Sequence, residues 1–145
     1  MKYRTELCFL LAVLILTTSG LTAVINVPDD YSTIQTAMDA SVDGDTVLVA
    51  DGVYYGNGNR DIDFHGKLIT VQSENGPEHC IINCGGSVSD NHRAFHLHNG
   101  ETLDAMITGF TIQDGFVDDE YGGSGILCHS ASPTITNCVF ESNTS

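Results

Sequence analysis

Short runs of alternating apolar and polar residues recur along the chain, and corners rich in Gly, Asn, Asp and Ser separate them. Two of these runs match position for position: residues 106–115 read MITGFTIQDG, and residues 134–143 read TITNCVFESN. Apolar residues match at 110/138 and 112/140, and Gly matches Asn at 109/137 and 115/143. Because Gly and Asn tolerate left-handed backbone best, the pattern predicts strands and corners that stack on copies of themselves.

A helical period precedes the strands. Ser32 stands three positions before Gln35, which is a capping-box signature. The apolar residues that would share one face of this helix are Ile34, Ala37 and Met38. Since the helix comes before the strands rather than between them, we expect it to lie across the first rung as a cap.

The strand pattern leaves two architectures open. Short strands with frequent turns also suit an antiparallel sandwich, but matched residue types at equivalent positions favour stacked coils. Roughly 100 residues follow the helix, which at one repeat per coil gives about four coils. In these coils Val47, Val49 and Ile135 should point inward.

Two parts of the chain carry a family resemblance. Residues 27–35 read VPDDYSTIQ, residues 44–49 read GDTVLV, and residues 122–143 read GGSGILCHSASPTITNCVFESN. The first two segments resemble the amino-terminal cap and first coil of the pectate-lyase-like superfamily. The third resembles the coil unit of exported bacterial β-helix repeat proteins, including those grouped with polymorphic outer-membrane proteins. The resemblance covers residues 24–145.

The resemblance implies an all-β fold, a right-handed parallel β-helix (solenoid) with an amino-terminal capping α-helix. It also implies three parallel sheets per coil and ladders of corner Asn side chains, to which Asn137 and Asn143 would belong. Relatives of this type include polysaccharide lyases, hydrolases, adhesins and passive surface proteins, so the fold leaves the function open. Because Ser145 follows a repeat directly, without a closing cap, we expect residues 24–145 to be an amino-terminal fragment whose later coils and cap are absent.

Residues 1–23 are typical of a secretory signal peptide. A basic start precedes an apolar run at 7–16 and a small, polar stretch at 17–23. The apolar run is too short to span a bilayer as a helix, so we expect export to the cell surface or medium and no membrane insertion of the mature chain. Five Lys and Arg against 19 Asp and Glu give a net charge of -14, which argues against nucleic acid as a partner.

Four cysteines follow the signal: Cys80, Cys84, Cys128 and Cys138. Cys80 cannot pair with Cys84 on one strand, because the extended chain between them covers about 13 Å and a disulfide needs Cα atoms within about 7 Å. Any disulfide must therefore join different coils. The alternative is that these residues are small buried hydrophobes.

An acidic insertion interrupts the repeat. The insertion lies between Gly115 and Gly122 and contains Asp118, Asp119 and Glu120. Three consecutive acids can offer oxygen ligands to calcium, which is the one cofactor that the sequence suggests. The neighbouring Tyr121 could stack on a sugar. The competing interpretation is that adjacent acids in a loop are simply solvated.

Other candidate residues lie on or beside strands. Tyr54 and Tyr55, beside Arg60, Asp61 and Asp63, could line a carbohydrate groove, although local packing of the tyrosines is the favoured interpretation. On a strand, His96 and His98 leave the core on the same side, with His92 nearby. Two imidazoles on one face can bind a metal or exchange protons, but spacing identifies no third ligand.

Two functions remain. The first is an exported, non-catalytic β-helix surface protein that acts as an adhesive or glycan-contacting module, with a polysaccharide or cell-surface glycan as partner and self-association through its uncapped end. The alternative is the amino-terminal part of a polysaccharide lyase or glycoside hydrolase acting on acidic polysaccharide. An enzyme needs carboxylates or calcium ligands and a base together on one outer face, and the sequence alone identifies no catalytic residue.

Overall fold

The computed structural model describes residues 21–145, so the predicted signal peptide lies almost entirely outside the described residues. Within residues 21–145 no helix is long and apolar enough to cross a membrane. The helix α1 spans Ile34–Ala40. The strands are β1 (Val24–Val27), β2 (Thr46–Val49), β3 (Gly52–Tyr55), β4 (Ile62–Asp63), β5 (Thr70–Ser73), β6 (Cys80–Asn83), β7 (Phe95–Leu97), β8 (Met106–Thr108), β9 (Thr111–Gln113), β10 (Ile126–Cys128), β11 (Thr134–Thr136) and β12 (Val139–Glu141).

The strands form three parallel sheets. Sheet A has the order β1-β2-β5-β8-β11, sheet B has the order β12-β9-β6-β3, and sheet C has the order β10-β7-β4. The chain runs from one sheet to another and comes back to each sheet several times. Every two named strands that are neighbours in a sheet run parallel. The protein is therefore an all-β parallel stack, and the antiparallel sandwich alternative is wrong.

The predicted repeat sets the register of the last two rungs. Ile135 lies beside Ile107, and Phe140 lies beside Ile112, which confirms the alignment of residues 106–115 with 134–143. Val47 and Val49 are fully buried, as predicted. Ile135 occupies the same inward column but is 37% exposed, because no further rung covers it within the described residues.

Aromatic side chains stack along the interior. The ring of Phe95 lies between those of Phe64 and Phe110, with ring centroids 6.2 Å apart on each side and tilted planes. All three side chains are fully buried. Tilted pairs at this distance add to the stabilisation gained from burying the rings.

Helix α1 packs on the first coil with Ile34, Ala37 and Met38 buried, as predicted. Its N-cap is Thr33 rather than Ser32, because the Thr33 side chain accepts the hydrogen bond from Thr36 N–H. The N-cap is therefore one position later than predicted, and the predicted capping box of Ser32 and Gln35 is wrong, because Thr36 occupies the third helical position.

The side chain of Gln35 ties helix α1 to the first coil. Its amide bonds to both the carbonyl and the N–H of Asp63 instead of turning back to the cap. At the other end of the helix, the Lys67 ammonium donates to three carbonyls, those of Met38, Asp39 and Ser41. A cation at this position complements the helix dipole.

The corner predictions are partly right. Gly109 and Asn137 are both left-handed, with φ of 84° and 49°. At 115/143 the prediction is wrong, because the left-handed residues are one position earlier, at Asp114 and Ser142. Asn143 bonds instead to the backbone of the preceding rung, accepting from Gly115 N–H and donating to Ile112 C=O, so it does not build a ladder with another Asn side chain.

The four cysteines of the described residues are free thiols. Cys80 and Cys84 are fully buried, and this burial raises the pKa of each thiol to about 12. They therefore behave as small buried hydrophobes, which was one of the two alternatives.

Candidate functional site

The two adjacent tyrosines of β3 point in opposite directions. Tyr54 turns inward beside Ile82, where its hydroxyl donates to Ala50 C=O at 3.0 Å and burial raises its pKa. Tyr55 points outward and is 72% exposed. Tyr54 thus makes packing contacts, as the favoured interpretation of the sequence has it, and of the two tyrosines only Tyr55 presents its ring to solvent. Substrate binding by Tyr54 or Tyr55 stays a prediction.

Tyr55 stands in a cleft of about 340 Å³ on the outer face of sheet B. The residues that line this cleft, here called the Tyr55 cleft, are Val53, Tyr55, Gly56, Arg60, Asn83, Cys84 and Gly85. Val53 is 56% exposed and supplies an apolar wall beside the tyrosine ring. The cleft therefore combines an exposed aromatic face with polar groups at its edge, which is the usual make-up of a small-ligand site.

Arg60 and Asn83 fix the polar edge of the Tyr55 cleft. Arg60 Nη1 donates to the carbonyl of Cys84 at 2.8 Å, and Asn83 Nδ2 donates to Asp114 Oδ2 at 2.8 Å. The side-chain oxygen of Asn83 is left as an acceptor for a ligand hydroxyl. The Cys84 thiol is protonated at neutral pH because of its raised pKa, so it is a poor nucleophile.

The two acids predicted beside Tyr55 lie elsewhere. Asp61 is hydrogen-bonded to His92 Nδ1 and accepts the N–H of Arg93, at the corner between sheets B and C. Asp63 lies on sheet C. The five residues predicted to share one carbohydrate groove are therefore divided, and only Tyr55 and Arg60 line the same cleft.

The acidic insertion is organised around Asp119. One of its oxygens accepts from Arg93 Nη2 at 2.7 Å, and the other accepts the N–H groups of Tyr121 and Gly122. Partial desolvation opposes ionisation of Asp119, but these bonds outweigh it and lower the pKa. Asp118 and Glu120 remain exposed.

Within residues 21–145 no group of three or more His, Cys, Asp or Glu side chains is placed to hold a metal ion. Calcium at Asp118, Asp119 and Glu120 stays a prediction. Tyr121, the third tyrosine predicted to contact a sugar, is 59% exposed, and its ring stacks on that of His129 at a centroid distance of 5.2 Å.

A second polar surface lies on the outer face of sheet C, and we call it the histidine face: Asp63, His65, His96 and His98. The rings of His96 and His98 lie 4.1 Å apart, which confirms that they share one side. Asp63 Oδ2 lies 3.3 Å from His65 Nδ1 and 3.7 Å from His98 Nε2. Burial lowers the pKa of His96, and the neighbouring His98 lowers it further.

The sequence did not indicate Asp63 and His65 as neighbours of the histidine pair. Asp63 lies opposite His96 in the parallel register of β4 and β7, although a full coil of the chain separates them. Pairing at this separation depends on the length of the intervening loops, which the sequence pattern does not reveal. His92, predicted near the pair, instead binds Asp61 and lies 3.1 Å from Asp90.

Comparison of the chain with protein-family models, with curated proteins and with solved structures found no match in any of the three.

Proposed function

We propose that this chain is part of an exported right-handed parallel β-helix of the pectate-lyase-like type that acts as a non-catalytic adhesive or glycan-contacting surface module. The observation that carries the binding role is the Tyr55 cleft, an exposed tyrosine ring over an apolar wall with amide and guanidinium groups at its edge.

The parallel stack supports a right-handed coil. Each connection from one strand to the next strand of the same sheet is a parallel crossover, and such crossovers are right-handed in about 98% of cases. The return of the chain to sheet A after its visits to the other sheets fits a coil with three sheets. The β-helix resemblance of residues 122–143 supports the same fold.

Export and surface location are supported by the signal pattern of residues 1–23 and by the acidity of the chain. An acidic exterior keeps a surface protein soluble and repels nucleic acid.

The chemistry of its wall supports glycan contact at the Tyr55 cleft. Sugar rings present an apolar face of C–H groups, which packs on an aromatic ring, and hydroxyls, which need hydrogen-bond partners. Tyr55 provides the ring, and the side-chain oxygen of Asn83 provides an acceptor near it. An extended glycan would lie along the outer face of sheet B, where Ile81 follows Val53 on the next rung.

A glycan array probed with the full chain, followed by calorimetric titration of the strongest ligand, tests this proposal. Tyr55→Ala should weaken binding by roughly 1 kcal/mol or more, which is about fivefold in Kd. Tyr31→Ala is the matched control, because Tyr31 is also exposed but lies outside the cleft. Equal affinities of the two variants would contradict a site at Tyr55.

An assay on acidic polysaccharides, with and without calcium, separates binding from catalysis. For a non-catalytic module we expect no turnover. Calcium-dependent release of unsaturated products would instead establish the lyase alternative.

A further inference from the structure

The two histidines at β7 form a ready pair on an outer surface. His96 and His98 are two positions apart along one extended segment, so both side chains leave the same face of sheet C, and their rings lie 4.1 Å apart. Two imidazole nitrogens that each bind one metal ion at about 2.0–2.1 Å stand about 3.3 Å from each other in tetrahedral geometry. To chelate one ion, the two rings would have to rotate until one nitrogen of each stands at this separation.

A carboxylate from the neighbouring strand lies near one ring, beyond hydrogen-bond distance. Asp63 lies opposite His96 in the register, and its Oδ2 lies 3.7 Å from His98 Nε2. Histidines that ligate metals usually direct their other ring nitrogen to such a carboxylate, which fixes the ring and makes the ligating nitrogen more basic. This contact leaves Nδ1 of His98 available. No described residue forms a hydrogen bond or ion pair with the ring of His96.

We propose that His96 and His98 chelate a single transition-metal ion of the kind that imidazole prefers, such as Ni²⁺, Cu²⁺ or Zn²⁺, with Asp63 as the positioning carboxylate. The site has two protein ligands, so water fills the remaining coordination positions. The described residues contain no group of three or more potential ligands, and this site needs only two. It is also independent of the Tyr55 cleft, which lies on sheet B.

Charged groups of both signs lie near the pair. Two carboxylates lie on this side of the molecule, Asp63 itself and Asp39 of helix α1, whose Oδ1 lies 3.8 Å from His65 Nε2. The Arg93 guanidinium opposes a cation at His96, whose pKa it lowers, and the Asp119 carboxylate at 2.7 Å offsets part of this charge. The overall net charge of -14 also attracts cations to the surface.

Calorimetric titration of the full chain with Ni²⁺ alone, in a buffer that does not bind metals and without any histidine tag, tests the proposal. We expect one ion per chain, and His96→Ala and His98→Ala should each weaken binding at least about tenfold. Asp63→Asn should weaken it about tenfold, as loss of an orienting partner does. The control is His79→Ala, which removes an exposed histidine just before β6 and should leave the affinity unchanged.

A second measurement keeps the test decisive if a variant unfolds. Ni²⁺ is paramagnetic, so in the wild-type chain it should broaden the imidazole NMR signals of His96 and His98 before that of His79. Absence of binding by the wild type overturns the proposal. So does a double variant His96→Ala/His98→Ala that binds Ni²⁺ as tightly as the wild type, because the ion would then lie elsewhere.

Discussion

Phe95 is the side chain whose loss should damage the stack most. It is fully buried and contacts a phenylalanine ring on each side, Phe64 and Phe110, with centroids 6.2 Å away. Phe95→Ala removes a buried ring and leaves a cavity that the flanking rungs cannot close, which costs about 3–5 kcal/mol. Because domains of this size are stable by about 5–15 kcal/mol, this is a large part of the total.

Phe140 offers a matched control with the same chemistry. It lies on the last described rung beside Ile112 and is 51% exposed, so Phe140→Ala should cost only about 1 kcal/mol. Urea unfolding followed by circular dichroism measures both values, and Phe95→Ala should lower the midpoint by roughly 2 M. A loss for Phe95→Ala no larger than that for Phe140→Ala would refute the stacked interior.

Three further predictions concern charge, thiols and assembly. The Asp45 carboxylate accepts the N–H group of Val42 and, in the uncleaved chain, that of Ala23, and these bonds lower its pKa. Its stabilisation is therefore present above about pH 4 and is lost as the pH falls through the lowered value. The Asp45→Asn variant of the full chain should lose less unfolding free energy on acidification than the wild type, and an equal loss would contradict this. A thiol reagent at neutral pH should modify the exposed Cys128 in the folded chain. It should modify Cys80 and Cys84 only after unfolding, because burial raises the pKa of these two thiols to about 12. Mass spectrometry of the labelled peptides measures this, and equal reaction rates of Cys84 and Cys128 in the folded chain would disprove it. Among residues 21–145, β11 and β12 each pair on one side only and leave the inward residues Ile135 and Phe140 partly exposed, so residues 24–145 should self-associate through this rung. Light scattering that gives one mass at all concentrations would argue against it.

The stack could be predicted from local sequence patterns, because residues at equivalent positions of successive rungs share one environment and so tend to be of the same type. Ile107 and Ile135 have the same environment one rung apart, so the repeat that relates them is visible in the sequence. The apolar face of helix α1 was predictable for a similar reason, since Ile34, Ala37 and Met38 follow the helical period.

Other rungs lack a visible period because their corners differ in length. Thr46 pairs with Thr70, and Thr70 pairs with Met106, so the second of these steps takes much more chain than the first. Contacts that depend on such unequal steps were missed, such as Asp63 against His98. The opposite directions of Tyr54 and Tyr55 follow from strand alternation, but which one faces inward depends on the register of β3 with β6.

Corners were predicted less well than strands, because several residues of a corner can supply its left-handed position. Asp114 and Ser142 adopt that conformation although neither is Gly or Asn. Their neighbours, Gly115 and Asn143, lie where successive rungs meet. A Cβ at Gly115 would clash with the carbonyl oxygen of Ser124, and the Asn143 side chain bonds to the rung before it.

Successive strands of sheet A lie parallel and in chain order, each one turn of the chain apart, and the site geometry depends on this arrangement. Nuclear Overhauser contacts between backbone protons test it most directly. We expect contacts linking Val47 to Val71, Val71 to Ile107, and Ile107 to Ile135. Close Hα–Hα contacts between β2 and β3, the mark of an antiparallel hairpin between chain neighbours, would contradict it.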